Sequence, residues 1–252
     1  MNRFFIEPED INEEEGTAVI RGEPVKHIGR VLRMGKGDSL VLADGRGFSY
    51  LGTIAKVDKD AVQVDIIEKL SRNAEPPIQV ILAQALAKGE KMDLVVQKST
   101  ELGVQEIIPF ICRRSVVKVS PENAQRKVQR WQKIAKGAAE QSHRDRIPNI
   151  KEIASLDNLL SQAQDVDLLL FLWEQEKQMG IKEVLKAQGE VHRVMLLVGP
   201  EGGFTEEEAE LAKSRGAIPV SLGPRILRTE TAACAAVTMV LYELGDLGEA
   251  DE

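Results

Sequence analysis

Hydrophobic and polar positions alternate in short runs through the first part of the chain, and the rhythm changes near residue 72. Ala18-Val19-Ile20, Ser39-Leu40-Val41-Leu42-Ala43 and the stretches 50–54 and 61–67 are apolar or repeat with a period of two, as half-buried strands do. Turn signals such as Gly35-Lys36-Gly37-Asp38 and Asp44-Gly45-Arg46-Gly47 separate them. Residues 24–32 fit one short helix, with His27, Arg30 and Arg33 near its end. The pattern predicts a small β-barrel over 1–72. The polar, proline-bearing stretch 71–77 predicts a linker.

Over 73–252, strand-length apolar runs alternate with helix-length segments. Strands are predicted at 78–86, 104–111, 166–172, 194–198 and 217–222, and helices at 91–102, 121–141, 180–187, 205–215 and 229–244. The runs ending at Leu172 and Val198 are continuously apolar, which suits strands buried on both faces. Gly103 closes one helix. Thr205, with Glu208 three residues on, forms a capping box at the start of another. Such alternation implies an α/β domain, a parallel sheet with helices on both faces.

Composition adds compartment and partner. The 252 residues are 43% hydrophobic and 29% charged, a soluble globular balance with enough chain for two cores. Two cysteines, Cys112 and Cys234, cannot make a disulfide framework. No apolar run approaches the ~18 residues of a membrane span, and the start at Met1 lacks a signal-peptide pattern. A cytoplasmic protein without membrane contact is therefore expected. No metal is expected either, because the cysteines and histidines lack ligand spacing.

The net charge of −7 argues against a polyanion partner until its distribution is read. Residues 113–151 hold eleven Lys/Arg against three acids, and 21–36 hold five against one. The tail after Leu241 is purely acidic, with Glu243, Asp246, Glu249, Asp251 and Glu252. Local phosphate neutralisation, not the overall charge, governs RNA binding.

Two loops carry candidate chemistry. Gly199-Pro200-Glu201-Gly202-Gly203-Phe204 joins a buried strand to a capped helix, where glycines let backbone amides approach a ligand. It matches neither the dinucleotide fingerprint nor the phosphate-gripping Gly-Lys-Ser/Thr loop. Leu222-Gly223-Pro224-Arg225-Ile226-Leu227-Arg228-Thr229-Glu230 also leaves the end of a parallel strand, where open α/β sheets bind ligands.

This pair of loops resembles the cofactor region of the SPOUT class of RNA methyltransferases. Within that class the whole chain resembles the bacterial family that methylates N3 of a uridine in 16S ribosomal RNA. Asn2-Arg3-Phe4-Phe5, the stretch from His27 to Arg33, Lys91-Met92-Asp93, Gln97 to Gly103, Arg114 to Lys118 and Glu140 to Arg144 carry the rest of the resemblance. It implies a PUA-like RNA-binding barrel and a parallel-sheet domain knotted as a trefoil, with S-adenosylmethionine as cofactor. Its partners would be 16S RNA or the small ribosomal subunit, and a second copy in a homodimer. Leu172, Gly199, Pro200, Glu201, Gly202, Leu222, Gly223, Ile226 and Leu227 would hold the cofactor. Arg225 and Arg228 would stabilise charge on uracil, and Glu201 or Glu230 would take its proton or orient an arginine. Arg3, His27, Arg30, Arg33, Arg114 and Arg144 would contact RNA. His143 departs from the small residue, often glycine, expected at its position. A SPOUT enzyme modifying a ribose hydroxyl or a tRNA base, and a non-catalytic RNA-binding assembly protein, are the alternatives.

Overall fold

In the computed structural model, which describes residues 1–70, 74–115 and 119–249, the chain divides into two units. The first comprises Met1–Glu75 with Ala139–Ile147, and the second Pro76–Ala138 with Pro148–Glu252. The expected break at 72/73 thus falls slightly early, and 139–147 belongs with the first unit. Linker residues Ser71, Arg72 and Asn73, motif residues Val116, Val117 and Lys118, and tail acids Asp251 and Glu252 lie outside the described residues.

The alternating runs of the first unit form a curled six-stranded sheet. Its strands are β1 (Arg3–Phe5), β2 (Ile11–Asn12), β3 (Thr17–Arg21), β4 (Ser39–Ala43), β5 (Ser49–Val57) and β6 (Ala61–Leu70), in the order β1-β4-β5-β6-β3-β2. Ile20, Leu40, Leu42, Ile54, Val62 and Val64 point inward and build the core. The short helix is α1 (Glu23–Lys26), continued by a π-helical turn over His27–Val31. Val25 and Ile28 are buried beneath it, while His27, Arg30 and Arg33 stay exposed.

Two of the residues expected to contact RNA are enclosed by the protein itself. Arg144 is only 3% exposed and ion-paired with Glu75. Glu75 also accepts the backbone N–H groups of Asp145 and Arg146, each at 3.0 Å. Arg3 is likewise enclosed, paired with buried Asp145 and donating to Ser49 Oγ at 3.0 Å and to the Arg144 carbonyl at 2.9 Å. Charges so buried persist only when paired, and in this structure these arginines clasp 139–147 to the sheet. His143 sits in the same segment with φ of 60°. A left-handed residue just past a helix end is where glycine costs least, which accounts for the small residue expected there.

The second unit is a seven-stranded parallel sheet. Its strands are β7 (Gln79–Ala85), β8 (Glu106–Ile111), β9 (Asn149–Ile150), β10 (Ala154–Ser155), β11 (Leu168–Leu172), β12 (Arg193–Val198) and β13 (Ile218–Val220). They run in the order β10-β8-β7-β12-β11-β13, with β9 also on β8. The helices are α2 (Lys91–Leu102), α3 (Pro121–Gln141), α4 (Leu156–Gln162), α5 (Ile181–Lys186), α6 (Glu206–Ser214) and α7 (Thr229–Leu244). One sheet face, with Phe110, Phe171, Met195 and Leu197, packs on α4 and α6. α7 packs on β7 and β12 and also on α2. The capping box forms as read, Thr205 Oγ1 accepting from the Glu208 N–H and the Glu208 carboxylate accepting from the Thr205 N–H.

Candidate active site

The last residues of three parallel strands, Leu172, Val198 and Val220, open into one cleft of about 1090 Å³. Ligands of open α/β sheets lie outside these carboxyl ends because loops and helix starts converge there. Both glycine-bearing loops form its walls. Gly199, Pro200, Glu201 and Gly202 line one side, and Leu222, Gly223, Arg225, Ile226, Leu227 and Arg228 the other. Every residue expected to hold the cofactor is thus in one place.

A buried hydrogen-bond chain fixes the two loops against each other. Gln84, at the end of β7, donates to Thr229 Oγ1 at 2.9 Å, and that hydroxyl donates to the Gly199 carbonyl at 2.6 Å. Thr229 is the first residue of α7, so the chain ties the helix start to the first loop. Backbone bonds between Trp173 and Val220 (3.2 Å) and between Ser221 and Met179 (2.8 Å) secure the loop after β11 to the second. That loop brings Trp173, Glu174 and Glu183 into the lining. Nothing in the sequence motifs named them.

Arg225 and Arg228 are exposed on the rim, and neither forms an ion pair among the described residues. Ile226 between them lines the cleft and is 92% exposed. Arg114 meets the first loop directly, donating to the Gly202 carbonyl at 3.0 Å. Gly223 has φ of 115° and open space where a Cβ would stand. A side chain there would strain the backbone and intrude into the cleft.

Glu201 and Glu230 have different surroundings. Glu201 Oε1 lies 2.8 Å from Lys91 Nζ and accepts the Lys88 N–H at 3.2 Å. Burial disfavours its charge, but the Lys91 ammonium and backbone N–H groups outweigh that and hold the carboxyl below the usual glutamate range. Glu230 lies outside the cleft lining, its Oε2 buried without a hydrogen bond and 3.7 Å from the same ammonium. Sequence reasoning passed over Lys91 as a site residue, although Lys91-Met92-Asp93 was among the family-like stretches. Among the described residues, no group of three or more His, Cys, Asp or Glu is arranged to hold a metal, and no helix is long and apolar enough to cross a membrane.

Comparison with known proteins agrees with this geometry. Residues 74–241 match the RNA methyltransferase domain model, and 20–67 match the RNA methyltransferase PUA domain. The chain is 39% identical over 248 residues to the ribosomal RNA small subunit methyltransferase E of Bacillus subtilis, covering 96% of this chain and 97% of that one. The crystal structure of the Neisseria gonorrhoeae ribosomal RNA small subunit methyltransferase E bound to S-adenosyl methionine has a TM-score of 0.88 and 31% identity, covering 98% and 99% of the two chains. A Legionella pneumophila methyltransferase structure with bound SAM has a TM-score of 0.87 and 38% identity, covering 97% and 98%. Strand order, cleft and whole-length similarity agree: the chain belongs to the RNA methyltransferase family of ribosomal RNA small subunit methyltransferases E.

Proposed function

We propose that the protein methylates N3 of one uridine in the 16S RNA of the small ribosomal subunit, using S-adenosylmethionine, in the cytoplasm and as a homodimer. The observation that carries the reading is the convergence of both glycine-bearing loops and three strand ends on one cleft with two exposed arginines at its rim. The residues present suit the cofactor. Leu172, Leu222, Ile226 and Leu227 offer an apolar slot for adenine, Gly223 leaves that slot open, and the backbone of Gly199 to Gly202 offers polar partners. We extend the proposal to the trefoil threading of these loops that the resemblance implies.

When bound, S-adenosylmethionine supplies an electrophilic methyl group on a sulfonium sulfur. The protein's own contribution is orientation and charge. Uracil N3 loses its proton as it bonds to carbon, and negative charge spreads to the neighbouring carbonyl oxygens. Arg225 and Arg228 stabilise that charge as oxyanion donors do. Glu201, held ionised by Lys91, and Glu230, 3.7 Å from the same ammonium, act by orientation, and solvent at the open cleft takes the proton. His27, Arg30 and Arg33 on the first unit and Arg114 beside the first loop meet RNA phosphates. On α7, exposed Met239 and Tyr242 continue an alanine-rich surface, the kind of apolar face that a second copy covers.

Incubation with methyl-labelled S-adenosylmethionine and small-subunit RNA, naked or assembled, tests the reading. Label in the RNA is the expected result. Tight cofactor binding by calorimetry with no label in either substrate overturns it in favour of a silent RNA-binding protein.

A further inference from the structure

With Arg144 buried, the cations of the basic stretch that solvent can reach are concentrated on α3. This helix turns Trp131, Ala135 and Ala138 inward. Arg126, Gln129, Arg130 and Lys133 face out at spacings of three and four residues, so they lie on one side. With Ile134 they line a shallow open groove of about 480 Å³.

Like charges one turn apart destabilise a free helix. The only acids on α3 are Glu122 and Glu140. Glu122 stands one turn before Arg126, yet no salt bridge joins them. Arg126 and Lys133 have no ion pair among the described residues, while Arg130 pairs with Asp93 on α2. Asp93 also accepts from Trp131 Nε1 at 3.1 Å, which fixes the rotation of α3 and hence the direction of the row. The groove offers one aliphatic side chain and no aromatic ring, so it suits a polyanion and not an apolar protein surface.

We propose that this face of α3 is a phosphate-docking surface for the RNA substrate, with Arg126, Gln129 and Lys133 as its contacts and Arg130 as a shared one. It rests on the RNA-methylation reading and adds, on the methyltransferase unit, a further RNA-contacting surface to Arg114. Phosphate contacts set register and orientation and carry no base specificity, so this surface positions the RNA without selecting the uridine.

The test is RNA binding by the full chain across a range of salt concentrations, using a 16S RNA fragment, for wild type and for Arg126→Gln/Lys133→Gln. Each lost phosphate contact lowers the slope of log affinity against log salt by about one, so a loss of about two is expected, with affinity several-fold weaker at low salt. S-adenosylmethionine affinity by calorimetry should be unchanged, and Arg126→Lys/Lys133→Arg should keep the wild-type slope. An unchanged slope and affinity in the Gln double variant overturns the proposal while leaving the methylation reading intact. A wild type that binds no RNA overturns both.

Discussion

Lys91 Nζ lies 2.8 Å from Glu201 Oε1 and 3.7 Å from Glu230 Oε2, so one ammonium joins the loop after β12 to the first turn of α7. Because the first segment lines the cleft and the second directly follows its other wall, Lys91→Met is expected to raise the KM for S-adenosylmethionine several-fold with a smaller change in kcat. Lys91→Arg, which keeps the charge, should recover most of the loss. The pair also sets a pH dependence. The Glu201 carboxyl is held below its ordinary value, so its stabilising contribution is present above the usual glutamate value of about 4.3 and is lost as pH falls from there through the lowered one. The difference in Tm between wild type and Lys91→Met should be largest near neutrality and vanish in acid. With both side chains partly exposed, the difference should be small. A Tm difference that does not change with pH would contradict this role.

Arg225→Ala should slow single turnover by about two to three orders of magnitude, as loss of one charge-stabilising donor does. RNA and cofactor affinities should change much less, because the interaction strengthens mainly in the transition state. A near-normal rate, or a defect confined to RNA binding, would move Arg225 from chemistry to positioning and leave Arg228 as the next candidate.

The two loop glycines should fail differently. Gly223→Val places a branched side chain at φ of 115° and in the cleft, so cofactor binding should be lost. A Cβ on Gly202 instead meets the Arg114 Cβ at 3.2 Å, away from the slot. Gly202→Ala should therefore displace Arg114 and weaken RNA binding while cofactor affinity falls only modestly. Calorimetry on both variants separates them, and equal losses of cofactor affinity would refute this assignment of the walls.

Arg144→Leu should destabilise the first unit by about 3–5 kcal/mol, the usual cost of leaving one member of a buried ion pair alone. The same substitution on a surface RNA contact would leave stability nearly untouched. Denaturant unfolding of the full chain decides between them, and an unchanged midpoint would return Arg144 to the RNA-facing set.

What the sequence disclosed follows from how much of each feature is local. The long elements α2, α3 and α7 and strand β4 fall where their periodicity predicts. β1, β2, β9 and β10 are two or three residues long and owe their form to distant partners, as Arg3 does to Val41 across a parallel pair. The helix α4 was not among the expected elements; it starts at Ser155, whose Oγ accepts the Asn158 N–H at 3.2 Å, and buries Leu156, Leu159 and Leu160. In the site, Gly199 to Gly202 and Gly223 to Arg228 were readable because a backbone that approaches a ligand needs glycine and a rigid turn. Lys91, Gln84 and Trp173 were not, since Trp173 enters the lining, and Lys91 and Gln84 meet the loop and helix residues beside it, only through the strand order. Arg144 shows the converse, because a basic residue in a basic stretch reads as surface until Glu75 is seen beside it.

The most direct test is the identity of the methylated nucleoside. Small-subunit RNA lacking the modification would be incubated with the wild-type protein and labelled S-adenosylmethionine, digested to nucleosides and resolved by mass spectrometry. The account expects one labelled species, 3-methyluridine, and a yield reduced by about two orders of magnitude over the same single-turnover interval with Arg225→Ala. Label on a ribose oxygen or on another base would contradict it.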